Sequence, residues 1–227
     1  MALTDNLIAY WKADESSWNY ADSIWSNTGT PTGTSYVAWK INNGISLSGG
    51  TSFVTLANYL WTLWDNAYTL SMWVKPTTLD TTNGDVLLWA GDRNQQHIIW
   101  SDGKLNLTTY DGSVWQVVGT TVLTNGNWYH LVFQRTSGTA GKVYVNWVDD
   151  TGWTATMRNP AQTLAQSFRL WSRQDNVSAN FNWLEDEIGI WSRALSGSEI
   201  TQLYNWWTWL QYPFAWTPIF IPKIIII

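Results

Sequence analysis

Three consecutive acids, Glu185-Asp186-Glu187, are the densest concentration of reactive side chains in the chain. In an extended strand alternate residues share a face, so Glu185 and Glu187 are expected on one side and Asp186 on the other. Two residues of strand rise separate Glu185 from Glu187 by roughly 6–7 Å. A retaining glycosidase places its carboxylates about 5 Å apart, flanking the scissile bond. Such a pair needs supporting groups, and the sequence offers none. The two histidines, His97 and His130, lie far apart, and no G-x-S-x-G elbow, metal-type His cluster or phosphate-cradling Gly loop occurs. His130 falls in an alternating run, where a structural role is the simpler reading. The expectation is that the chain is not an enzyme.

Two other uses of polar residues fit better. Asp, Asn and carbonyl oxygens suit a hard cation such as calcium, and the candidate ligands are Asp22, Asn27 and Asp186. The alternatives are that Asp22 closes an Asx-turn and that Asp186 pairs with Arg193. For ligand recognition, the polar stretch Asp92-Arg93-Asn94-Gln95-Gln96-His97 can make directional hydrogen bonds to a sugar, with Asp92, Arg93, Asn94 and His97 as its principal donors and acceptors. Tyr110 and Trp115 would supply an apolar stacking surface. The alternative for these two aromatics is cross-strand packing.

The elements that must position these groups are short strands. Runs of alternating apolar residues are expected near Leu7–Lys12, Ser35–Trp39, Gly44–Leu47, Phe53–Leu56, Thr69–Lys75, Asp85–Trp89, His97–Trp100 and Lys104–Tyr110. More follow near Val114–Thr120, Trp128–Arg135, Lys142–Asn146, Ser167–Trp171 and Trp183–Trp191. This many short strands without a long helical period predicts an all-β, two-sheet antiparallel jelly-roll sandwich. One short helix is expected: Ser196-Gly197-Ser198-Glu199 has the spacing of a capping box, placing Ile200, Leu203 and Tyr204 on the face that packs on the sandwich.

Composition limits the partners. Charged residues make up 13% of the 227, and the net charge of −5 comes with no basic stripe, which argues against nucleic acid. The absence of cysteine excludes disulfides and thiolate chemistry. Met1 to Asn6 has neither a basic region nor an apolar run, so no signal peptide is visible. The domain is expected to span residues 1–214. The tail from 215 to 227 is Ile-rich, broken by Pro218 and Pro222, and too short to span a bilayer. Any membrane contact is confined to residues 214–227, and the oligomeric state is left open.

Several segments resemble the laminin-G-like jelly-roll family of the concanavalin A-like lectin/glucanase superfamily, in the form common on bacterial and phage surfaces. They are the opening Leu7-Ile8-Ala9-Tyr10-Trp11-Lys12-Ala13-Asp14-Glu15, the loop Ala21-Asp22-Ser23 with Asn27-Thr28-Gly29-Thr30, and the strand Thr69-Leu70-Ser71-Met72-Trp73-Val74-Lys75-Pro76. Asn127-Trp128-Tyr129-His130-Leu131-Val132-Phe133 and the closing stretch from Leu184 to Ser196 follow in the family's order. The resemblance implies a non-catalytic binding or adhesion module for a cell-surface glycan or protein. It would act outside the cell, on a cell surface or as a virion component. The alternative is a structural assembly module that binds no sugar. The resemblance also implies calcium as a common companion of the fold. Glucanases of the superfamily carry an E-x-D-x-x-E pattern that the consecutive acids here lack.

Tryptophan is the systematic departure, with twenty in the chain. Asn146-Trp147, Asn182-Trp183 and Asn205-Trp206 occupy slots where Asn-Gly would make a tight turn, as Asn43-Gly44, Asn83-Gly84 and Asn125-Gly126 are expected to do. At Trp18, Trp25, Trp39, Trp147, Trp171, Trp183, Trp206, Trp207 and Trp209 the family pattern has glycine. Two readings stand: these residues form an unusual aromatic surface, or they are glycines from UGA codons that some bacteria and their phages read as glycine.

Overall fold

The computed structural model describes residues 1–16, 19–39, 41–49, 52–56, 67–90, 95–158, 168–172, 182–205 and 210–214. Sixteen strands and one helix are found there, in chain order: β1 Leu7–Trp11, β2 Thr30–Thr32, β3 Thr34–Ala38, β4 Asn43–Ser48, β5 Phe53–Leu56, β6 Tyr68–Thr78, β7 Asp85–Ala90, β8 Gln95–Ile99, β9 Leu105–Tyr110, β10 Val114–Gly119, β11 Tyr129–Ser137, β12 Ala140–Val145, β13 Val148–Asp149, β14 Thr151–Thr154, β15 Phe168–Leu170, β16 Asn182–Trp191 and α1 Gly197–Tyr204. The expected strands all appear, displaced by three residues at most. The short strands β2, β13 and β14 are additions, because two to four polar residues carry no readable alternation.

All pairing is antiparallel, in two eight-stranded sheets. The first runs β13-β12-β11-β6-β16-β4-β3 with β1 on the far end of β16, and the second runs β14-β10-β9-β8-β7-β15-β5-β2. Alternation explains how they close on each other. In β6, Leu70, Met72 and Val74 point into a core they share with Leu87, Leu107 and Val117 of the second sheet, whereas Thr69, Ser71 and Trp73 point outward. Each fully buried aliphatic side chain contributes about 1.5–3 kcal/mol relative to exposure, so the inward rows hold the sheets together.

The outward face of the first sheet is covered by α1 and by the chain's own end segments. Ile200 and Leu203 pack with Tyr10, Val132, Tyr144, Trp191 and Leu210, and Tyr204 stacks on Trp73 with ring centroids 5.4 Å apart. The helix begins as expected. The Ser196 hydroxyl accepts from the Glu199 amide, and Glu199 accepts from the Ser196 amide at 2.8 Å. Glu199 also holds the Arg193 guanidinium through two bonds of 2.6 and 3.0 Å. The helix ends at Asn205, whose left-handed backbone (φ 44°) lets its amide reach the Thr201 carbonyl.

The turn expectations divide. Gly84 and Gly126 turn with φ of 74° and 80°. Asn146 and Trp147 form a two-residue hairpin loop, with Val145 opposite Val148 and φ values of 49° and 65°. Asn182-Trp183 makes no turn: both residues lie in β16, with Trp183 buried in the core. Asn43-Gly44 likewise lies inside β4, and the β3–β4 connection closes through the Trp39 amide donating to the Asn42 carbonyl at 2.7 Å. Trp18, Trp206, Trp207, Trp209 and the 215–227 tail lie outside the described residues.

Burial pushes the Glu199 carboxyl up, but the bonds from Arg193 and Ser196 outweigh it and hold the group at about 2. A depressed carboxylate stabilises the fold above its unfolded value and loses that contribution as pH falls toward the folded value. Glu199→Gln is therefore expected to lower the melting temperature at neutral pH. The gap to the parent should close between roughly pH 4.5 and pH 2, measured by circular dichroism.

Candidate functional site

The outer face of the second sheet has no described helix over it. Directly paired residues share a face, and the registers connect Thr30, Thr55, Arg169, Trp89, Gln96, Thr108 and Gln116 in one row across seven strands. The neighbouring core row on the other side of the sheet is Val54, Leu170, Leu88, His97, Leu107 and Val117. Strands stand about 4.8 Å apart, so the outer row runs roughly 29 Å. Thr30, Thr55, Arg169, Gln96 and Gln116 keep partial or full exposure along it, whereas Trp89 and Thr108 are buried at 3% and 5% exposed. Val86, Trp89 and Ile98 form a small apolar cluster on this face.

Tyr110 continues the same face from Thr108 to the end of β9, where it is 39% exposed and pairs with exposed Val114. The hairpin tip is rigid. Asp111 accepts from the Ser113 amide at 3.2 Å and from the Trp115 indole at 2.7 Å. The Arg158 guanidinium lies 4.4 Å over the Trp115 ring and 3.7 Å from Asp111. The indole bond, followed by the Ser113 amide and Arg158, holds the Asp111 carboxyl below its usual range. Trp115 is a correction: paired with Thr109, which itself pairs with inward-facing Gln95, it lies on the inner side of the sheet, half-buried between cross-strand packing and the cation–π contact, whereas Tyr110 is on the outer side. Trp153 on edge strand β14, paired with Val118 and 58% exposed, adds an aromatic that the sequence did not single out. Arg158 and Asp111 were also missed, and only their charge beside an aromatic could have flagged them.

The polar stretch from Asp92 does not arrive as expected. Asp92, Arg93 and Asn94 lie outside the described residues. His97 is a correction: its side chain faces the core, where Nε2 lies 2.9 Å from the Tyr68 hydroxyl and the ring meets Phe133. Burial lowers its pKa to about 3. The cause is strand parity, which turns Gln95, His97 and Ile99 inward and leaves Gln96 to the outer face. His130 is buried too, 2.7 Å from the Ser71 hydroxyl, and desolvation lowers it to about 3.

The acid run also departs from simple alternation. A bulge between Asp186 and Gly189 opposite β6 puts Glu187 in the left-handed region at φ 53°. Glu185, paired with Val74 and Ile45, faces the core and accepts from the Trp171 indole. Asp186 and Glu187 both lie toward the covered side of the sheet. Glu187 accepts from the Tyr10 hydroxyl and, at 2.6 Å, from Gln211, which also donates to Asp14 at 2.9 Å. Glu185 and Glu187 are on opposite sides of a sheet and cannot flank one glycosidic bond. Burial raises all three carboxyls, Glu187 to about 8.

Of the calcium candidates, Asp22 is committed to its own loop. Its oxygens accept from the amides of Tyr10, Ile24, Trp25 and Asn27 at 2.9–3.2 Å, which includes the Asx-turn alternative. The Asn27 side chain donates to the Ile8 carbonyl, and its own carbonyl accepts from the Trp11 indole. Asp186 is fully buried and both its oxygens lack a hydrogen-bond donor. Arg193 is not its partner, being held by Glu199 and the Asp5 and Ala2 carbonyls. Among the described residues no group of three or more His, Cys, Asp or Glu side chains is arranged to hold a metal ion.

Two facing antiparallel sheets, with one outer face covered by a helix, define a jelly-roll sandwich. Residues 48–201 match the Laminin_G_3 family of the concanavalin A-like lectin/glucanases superfamily, and the chain belongs to that family. Among solved structures it is similar to domain 4 of the extracellular arabinanase AbnA from Geobacillus stearothermophilus in complex with arabinotriose. That likeness has a TM-score of 0.67 and 26% identity, covering 86% of this chain and 97% of that one. The binding domain of Paraclostridial Mosquitocidal Protein 1 is similar at TM-score 0.69 and 16% identity, covering 90% of this chain and 53% of that one. Trypanosoma rangeli sialidase follows at TM-score 0.68 and 13% identity, covering 88% and 32%. The chain spans about half of the toxin domain and a third of the sialidase, and at those identities the likeness is one of fold. No curated protein matches the sequence.

Desolvation, followed by the charges of Glu187 and Asp14, raises the Asp186 carboxyl well above its usual value. The folded state then holds a proton that the unfolded chain gives up, so stability falls as pH rises from about 4 toward the folded value. Asp186→Asn is expected to melt with the parent near pH 4 and above it at pH 8, a comparison that differential scanning calorimetry reads directly.

Proposed function

We propose that the chain is a non-catalytic module that binds an extended glycan along the outer face of the second sheet, with Tyr110 at one end of the site. The observation that carries this reading is the 26% identity over nearly the whole of an arabinanase domain crystallised with an oligosaccharide. The row from Thr30 to Gln116 supports it, since its partly exposed members Thr30, Thr55, Arg169, Gln96 and Gln116 are hydrogen-bonding residues spread over a length that spans several sugar units. Ring faces such as Tyr110 suit the apolar faces of sugars. The net charge of −5 favours a neutral chain over an anionic one. The module works outside the cell, displayed on a cell surface or a virion.

Titration with arabino-oligosaccharides and a panel of neutral polysaccharides, read by calorimetry, tests the site. Tyr110→Ala and Gln116→Ala are expected to weaken binding by about 3–10-fold each, with no change in melting temperature beyond that of a surface substitution. Binding that ignores both changes refutes the site. Absence of binding to every glycan, with concentration-dependent self-assembly, supports a structural assembly module instead. Calcium enters this reading through Asp186 alone: added calcium should raise the melting temperature of the parent and not of Asp186→Asn. An equal response in both excludes it.

A further inference from the structure

We infer that residues 147 and 171 are glycine in the protein as its own cells make it, and that a hydrated polar niche lies beside Glu185 where the indole of Trp171 now sits. Both positions have a backbone that glycine adopts freely and a bulky L-residue does not: φ is 65° at Trp147 and 69° at Trp171. Among the described residues, four of the nine non-glycine positions in this region are asparagine, the residue that tolerates it best. The two tryptophans are among its least suited occupants.

Position 147 is the second residue of a two-residue hairpin loop after Asn146, and its neighbour also has positive φ. That turn type selects Asn-Gly for a steric reason.

Position 171 carries a second, independent sign. The Trp171 ring is fully buried, meets Tyr20 edge-on at 5.6 Å and donates to one oxygen of Glu185. The other Glu185 oxygen and the Tyr20 hydroxyl are buried with no hydrogen-bond partner. Two orphaned polar groups around one apolar ring are costly. Without the ring, the same space is polar on two sides and large enough for water, which satisfies both groups.

The inference does not extend to Trp183 on structural grounds, since that residue sits in ordinary strand backbone. It leaves the glycan reading untouched, because neither Tyr110 nor any residue of the outer row is at position 147 or 171.

Peptide mass mapping of the protein purified from its native cells tests the inference. The peptides covering residues 147 and 171 should each be lighter by the difference between an indolylmethyl group and a hydrogen. Tryptophan mass at either position overturns it. A second measurement isolates the backbone cause in recombinant protein, comparing Trp147→Gly with Trp147→Ala and Trp171→Gly with Trp171→Ala. Both members of a pair lack the indole, so packing losses cancel. The glycine variant should melt about 2–8 °C above the alanine variant at both sites. Alanine melting above glycine at either site overturns the backbone argument there. Glycan titration of the same variants keeps the two proposals separate, since neither substitution touches the outer row.

Discussion

The ladder between β6 and β16 is the interaction on which the rest of the structure depends. These are the two longest strands, of eleven and ten residues, and they lie side by side in the middle of the first sheet. Their inward residues, Leu70, Met72, Val74, Ile188 and Ile190, form the floor of the core against which the second sheet packs. Their outward residues receive the chain's last elements. The Thr69 hydroxyl bonds to the Arg193 carbonyl and the Leu195 amide, and the Trp191 indole donates to the Leu3 carbonyl. One ladder thus sets both the depth of the sandwich and the seat of α1.

That seat decides where function can lie. With α1, the N-terminal segment and Leu210 covering the first sheet, its outer face is spent on stability. The outer face of the second sheet combines a buried apolar cluster of Val86, Trp89 and Ile98 with partly exposed hydrogen-bonding residues such as Thr30, Thr55, Gln96 and Gln116.

The buried acids illustrate how the same ladder controls chemistry. A run of three carboxylates suggests reactivity, but the bulge at Glu187 sends one into the core and two toward the covered face, where desolvation favours their protonated forms. Tyr10 and Gln211 supply Glu187 with donors, and Glu185 has only the Trp171 indole. The acids are therefore components of packing whose cost depends on their neighbours.

Alternation along β6, β9 and β11, the Ser196–Glu199 capping box and the Asp22 turn were legible in the sequence because each depends on neighbours within a few residues. Such short-range chemistry determined the strands, the helix, the all-β class and the family. It also marked Trp147 as standing where a turn needs glycine. Tertiary structure alone decided the parity that turns His97 inward, the bulge that separates Glu185 from Glu187, and the burial of Trp183 within a strand instead of at a turn. It alone aligned Thr30, Thr55, Arg169, Trp89, Gln96, Thr108 and Gln116, residues scattered through the chain, into one row. The reason is that strand register and sheet facing are set by hydrogen bonds to partners far away in sequence, and a one-residue shift in either exchanges the buried face for the exposed one.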